Sequence, residues 1–89
     1  MTFEEHKKIL LKDPEFRKIY EETRLEREIA LALIRARIEK HLTQAQLAKK
    51  LKTKQSVISR VESGESTPSL SFLKRLAAVL NLSLKVEFI

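Results

Sequence analysis

Residues 42–64, LTQAQLAKKLKTKQSVISRVESG, constrain the fold of this chain more than any other stretch. Thr43 has the hydroxyl of a helix N-cap, and Ala45, Leu47, Ala48 and Leu51 repeat at the spacing of one helix face. Lys52-Thr53 then breaks the pattern. It resumes with Thr53 as a cap and a helix from Lys54 to about Glu62. Val57, Ile58 and Val61 form its inward face, leaving Gln55, Ser56, Ser59 and Arg60 outside. Ser63-Gly64 stops the second helix, because glycine takes the left-handed conformation past a helix end without a Cβ clash. Two helices this short cannot each bury their own apolar stripe, so they must pack together and against further helices.

The flanks are also read as helical. Thr2 with Glu5 has the spacing of a capping box for a first helix running to about Leu11. Asp13 and Pro14 suit the N-cap and first position of a second. From Pro14 to about Lys40 nothing breaks the pattern. Phe16, Ile19, Tyr20, Thr23, Arg27, Ala30, Ile34, Arg37 and Ile38 keep helical spacing, with Thr23 and two arginines as polar exceptions. One long helix and two helices bent near Thr23–Glu26 fit equally well. Glu65-Ser66-Thr67-Pro68 is a loop, and Ser69 to Leu80 forms a last helix on Leu70, Leu73, Leu76, Ala77 and Leu80.

The period changes from three or four to two in LSLKVEF, residues 82–88. Such alternation describes a strand with one buried face, and no second strand is visible to pair with it. The same strand of a second copy, antiparallel across a two-fold axis through Leu84, Val86 and Phe88, would supply the ladder. The alternative is a short segment packed on its own helices. The fold class expected is therefore all-α. A helical extension (1–23) precedes a helix-turn-helix domain (24–82), and a short β-strand (83–89) follows.

Charge separates the two ends. Residues 1–34 hold seven basic and eight acidic residues, a net of −1, whereas residues 35–89 hold eleven and four, a net of +7. The excess lies in the part carrying the two-helix motif, and a phosphate backbone is its simplest partner. A merely soluble basic surface is the plain alternative. What favours double-stranded DNA is the agreement of two-helix spacing, inward apolar triad and outward polar run. Gln55 suits an adenine edge, Arg60 guanine O6 and N7, and Ser56 either base. Ser59, Lys54, Lys52, Lys49 and the amide end of the helix starting at Gln44 suit phosphates. A dimer would match a palindromic operator.

Enzymatic activity is not expected. His6 and His41 are isolated, there is no cysteine, and one glycine cannot build a phosphate loop. Ser56 and Ser59 have no base beside them in sequence, and no cofactor is implied. No apolar run is long enough to span a bilayer, and the charged N-terminus lacks a signal-peptide pattern, so a cytoplasmic location is expected.

The LTQAQLA segment followed by QSVISRVESGESTPS resembles the lambda-repressor-like, Xre-type helix-turn-helix family, over roughly Leu25 to Leu82. The resemblance implies a five-helix DNA-binding domain in which Gln44, Gln55, Ser56, Ser59 and Arg60 match DNA-contacting positions. Lys52 departs from the pattern by standing where the family commonly has a glycine. That implies a strained turn or a different one.

The N-terminal helices and the closing LKVEFI are similar in layout to HigA-type antitoxins. By that resemblance the chain would silence a RelE/HigB-like ribonuclease toxin and repress its own operon as a dimer. A stand-alone Xre-type repressor is the alternative. A third reading is a helical interaction module that uses the fold without DNA. A basic toxin would meet carboxylates with apolar anchors, and Phe3, Glu4, Leu10, Leu11, Glu15, Phe16, Ile19 and Tyr20 are the residues expected to face it. The competing account packs the same apolar residues on the chain's own core.

Overall fold

The computed structural model describes residues 2–89. Met1, the first residue of the expected extension, lies outside the described residues. Six helices follow in order: α1 (Phe3–Leu10), α2 (Pro14–Glu22), α3 (Arg24–Glu39), α4 (Gln44–Leu51), α5 (Gln55–Glu62) and α6 (Leu70–Val79). The all-α class is as expected, but the helix count is not. Residues 24–82 hold four helices rather than five, with α1 and α2 forming the extension.

The starts follow the caps. Thr2 and Glu5 complete a capping box on α1, Asp13 accepts from the Glu15 amide at α2, and Thr43 and Gln46 complete a second box on α4. Ser69 accepts from the Phe72 amide at α6. One expected cap is displaced: α5 starts a residue late, with Lys54 as a side-chain-silent N-cap in place of Thr53.

Between Pro14 and Glu39 the chain forms two helices. The break falls at Thr23, whose hydroxyl donates to the Ile19 carbonyl at 2.9 Å and to that of Tyr20 at 3.3 Å. This back-bonding competes with the helix ladder and bends it. Arg27 then donates to the Tyr20 carbonyl at 2.7 Å and the Thr23 hydroxyl at 2.8 Å, with its guanidinium 3.5 Å from the centre of the Tyr20 ring. Two of the polar exceptions in the helical pattern are thus the parts of one bend.

The core lies entirely within α3–α6. Leu33, Leu47, Ala48, Leu51, Ile58, Val61, Leu76 and Leu80 form one buried cluster, with Leu47 and Ile58 fully sealed. Burying a side chain of that size contributes about 1.5–3 kcal/mol. Some expected core positions are not buried. Ala45, Leu70 and Ile38 are exposed, because each stands at the margin of its helix's apolar stripe. Neither α1 nor α2 contains a buried residue.

All four core helices end the same way. His41, Lys52, Gly64 and Asn81 have φ between 56° and 78°, and each following residue's amide reaches back to a carbonyl in the last turn, as in Leu42 to Arg37 and Leu82 to Ala77. This double closure satisfies carbonyls that a helix end otherwise leaves open. Only one of the four left-handed residues is glycine, so sequence reading finds this closure only at Gly64.

The expected strand is absent. Residues 83–89 hold neither helix nor strand, and among the described residues no hydrogen bond reaches their backbone. A strand exists only through a ladder, and a single chain offers this segment no partner. Leu84, Val86 and Phe88 are exposed.

Candidate nucleic-acid interface

The second helix of the motif, α5, divides cleanly by face. Val57, Ile58, Val61 and Glu62 turn inward, Ile58 and Val61 being buried, while Gln55, Ser56, Ser59 and Arg60 are exposed. The spacing places all four outward residues on one stripe, since positions three and four apart are neighbours on a helix. No carboxylate interrupts it. Lys54 extends the stripe at its N-terminal end, where the free amides of the first turn add positive potential. Lys52 and Lys49, both exposed, continue the basic surface through the turn onto α4.

The turn is built around Lys52, at φ 58° and ψ 44°. Both outcomes that its sequence left open are resolved: the turn keeps the left-handed geometry, and a lysine bears it. A side chain in that region costs about 1–2 kcal/mol. The Thr53 amide donates to the Ala48 carbonyl at 2.9 Å, closing the turn and setting where α5 begins.

A half-buried ionic network holds α5 at its other end. Arg37 on α3 forms a two-pronged bridge to Glu62, at 2.7 Å through Nε and 3.0 Å through Nη2. Its Nη1 donates to the Leu42 carbonyl at 2.9 Å. Gln44 donates its side-chain amide to the same Glu62 carboxylate at 3.0 Å. Side-chain exposures of 15% for Arg37 and 5% for Glu62 put this pair beyond the strong screening that weakens surface bridges. The hydrogen bonds to Glu62, opposed by desolvation and aided by its charge, raise the guanidinium above its already high ordinary pKa. On the far side, Arg75 of α6 donates to the Leu51 carbonyl at the end of α4.

The network revises one sequence expectation. The Gln44 side chain is half-buried and occupied by Glu62, so what α4 presents outward at this point is its backbone end. Sequence reasoning missed Arg37, Glu62 and Arg75 as positioning residues. One signal was available: Arg37 is a charged interruption of an apolar helical stripe, which is tolerated only where a partner meets it. The identity of that partner, 25 residues away, was not visible.

The residues expected to face a protein partner differ in exposure. Phe3 and Ile19 are exposed, at 76% and 60%, while Leu10, Leu11, Phe16 and Tyr20 are half-buried. Phe16 and Tyr20 stack with ring centres 6.0 Å apart. Among the described residues no helix is long and apolar enough to cross a membrane.

Comparison with known proteins agrees with this geometry. The chain is 32% identical over 75 residues to multiprotein-bridging factor 1c of Arabidopsis thaliana, covering 78% of this chain and 51% of that protein. It is 39% identical over 62 residues to multiprotein-bridging factor 1b of the same plant, covering 70% and 44%. A 10 kDa protein of the ImmF control region of Bacillus phage phi105 is 43% identical over 50 residues, 56% of each chain. The chain spans about half the length of these relatives. No solved structure matches. The helix-turn-helix family matches residues 33–86, from the middle of α3 through the segment after α6. The chain therefore belongs to the helix-turn-helix family.

Proposed function

We propose that this chain is a stand-alone, sequence-specific transcription regulator that binds a palindromic operator as a homodimer. One observation carries the reading: α5 offers solvent an unbroken set of Gln55, Ser56, Ser59 and Arg60, while its opposite face is locked into the core. In this reading Gln55, Ser56 and Arg60 meet base edges in the major groove. Ser59, Lys49, Lys52, Lys54 and the backbone amides at Gln44 hold phosphates. The core holds one face of α5, and the Arg37–Glu62–Gln44 network ties its C-terminal end to α3 and α4. The chain is not expected to be an enzyme, and its division at residues 23 and 82 separates an arm, a reading domain and a dimerising segment.

Selection from a random duplex pool tests this. The reading expects enrichment of one two-fold-symmetric sequence, with affinity falling steeply as salt rises. A pool that stays random after repeated selection would remove sequence-specific recognition.

A second reading adds a protein partner on the N-terminal helices. Its support is that α1 and α2 bury no residue and leave Phe3, Ile9 and Ile19 exposed. In the HigA-type form of this reading the partner is a RelE/HigB-like toxin. The relatives named above are bridging factors and a phage control-region protein, and none carries an antitoxin's name. The regulator reading therefore stands first. Purification of the tagged chain from its native host, with mass spectrometry of what co-elutes, separates the two. A stoichiometric small basic ribonuclease would promote the antitoxin.

A further inference from the structure

Residues 83–89 carry more information than an unpaired segment needs. Leu84, Val86 and Phe88 are exposed apolar residues at every second position. Between them Lys85 Nζ meets Glu87 Oε1 at 2.6 Å, which places these two charges on one side of the segment. An exposed row of this kind with an unbonded backbone is a template for another strand. The present fold offers it none among the described residues.

We infer that this segment pairs with itself in a second copy, in the antiparallel register centred on Val86, with Lys85 of each copy facing Glu87 of the other. The inference rests on the homodimer part of the reading above and names its interface.

The register follows from matching the sequence against its own reverse. Two-fold pairing centred on Val86 sets Val86 against Val86, Leu84 against Phe88 and Lys85 against Glu87. One face is then wholly apolar, and the other carries two opposite-charge pairs, with Ser83 against Ile89 at each end. Centring on Lys85 or Glu87 sets like charges against each other. Centring on Leu84 keeps the apolar face but leaves Lys85 against Ser83. Centring between two residues puts apolar side chains opposite polar ones. Directly opposed side chains lie about 4.5–5.5 Å apart at Cβ, within reach of an ion pair, and each such pair contributes about 0.2–1 kcal/mol. The segment is thus self-complementary in charge as well as in hydrophobicity, and a second copy is the occupant with that complementarity built in.

The test uses two charge reversals of the full chain, Lys85→Glu and Glu87→Lys, studied by sedimentation separately and as an equimolar mixture. Both positions lie outside the core cluster, so folding should be preserved, and circular dichroism checks it. The wild type should sediment as a dimer. Each single variant should dimerise roughly tenfold or more less tightly, since like charges then oppose each other twice. Mixing should restore a heterodimer near wild-type strength. One chain then carries carboxylates at both positions, and the other carries ammonium groups at both, so every cross-strand pair is again opposite in charge. Rescue cannot come from the pair within one chain, which stays like-charged in both variants.

As a second readout, Val86→Cys should form a disulfide-linked dimer on mild oxidation in this otherwise cysteine-free chain. A wild type that stays monomeric at tens of micromolar would overturn the homodimer itself. A dimer indifferent to both reversals, or a mixture no tighter than its parts, would overturn the Val86 register and leave DNA binding untouched.

Discussion

The two ends of this molecule use similar local rules and reach different results. The helices α1 and α2 have good caps, charged termini and apolar residues at helical spacing, and neither buries a single side chain. The helices α4 and α5 are no longer, yet between them they bury Leu47, Ala48, Leu51, Ile58 and Val61. Capping decides where a helix starts. Whether it is held depends on what its apolar stripe meets, because short helices draw most of their stability from packing. In the core, α3 and α6 meet the motif from both sides. The arm is joined to α3 by the Tyr20–Arg27–Thr23 knot at the bend.

Substitutions should separate the two regions sharply. Ile58→Ala empties a sealed position and should cost about 2–5 kcal/mol in chemical denaturation. A loss below about 1 kcal/mol would mean that α5 is not anchored as described. Glu62→Ala leaves Arg37 half-buried and unpaired and should cost about 2–4 kcal/mol, with DNA affinity falling as α5 loosens. Lys52→Gly should divide the two properties. It should raise stability by about 0.5–1 kcal/mol by relieving the left-handed lysine, less the extra chain entropy of glycine. It should also weaken binding to all DNA and flatten its salt dependence, as one phosphate contact is lost. In the arm, Phe3→Ser should change stability by no more than about 0.5 kcal/mol. A larger loss would show that the arm is part of the core and erase the contrast.

The sequence made the motif legible because period, caps and terminating glycine all agreed over 42–64. It also pointed to the bend region without choosing it. Thr23 and Arg27 stood out as polar residues in an apolar pattern, but their pairing with the Tyr20 carbonyl depends on side-chain direction that spacing alone does not carry. Arg37 stood out likewise, and its partner Glu62 lies 25 residues on. The ends of α3, α4 and α6 were legible from the apolar period, but their left-handed closure was not, because His41, Lys52 and Asn81 adopt a conformation usually signalled by glycine. The strand expected at 83–89 failed for another reason. Alternation reports which face is apolar, whereas a strand also needs a neighbour to bond.

If the outward face of α5 reads DNA, Arg60 is the residue whose loss shows it most directly. Its affinity contribution should be measured by titrating wild type and Arg60→Ala against the selected duplex and against duplexes with each base pair changed in turn. The loss on the selected site should be about 1–3 kcal/mol, with discrimination relaxed at one base pair of each half-site. Unchanged affinity together with an unchanged preference at every position would contradict this reading of α5.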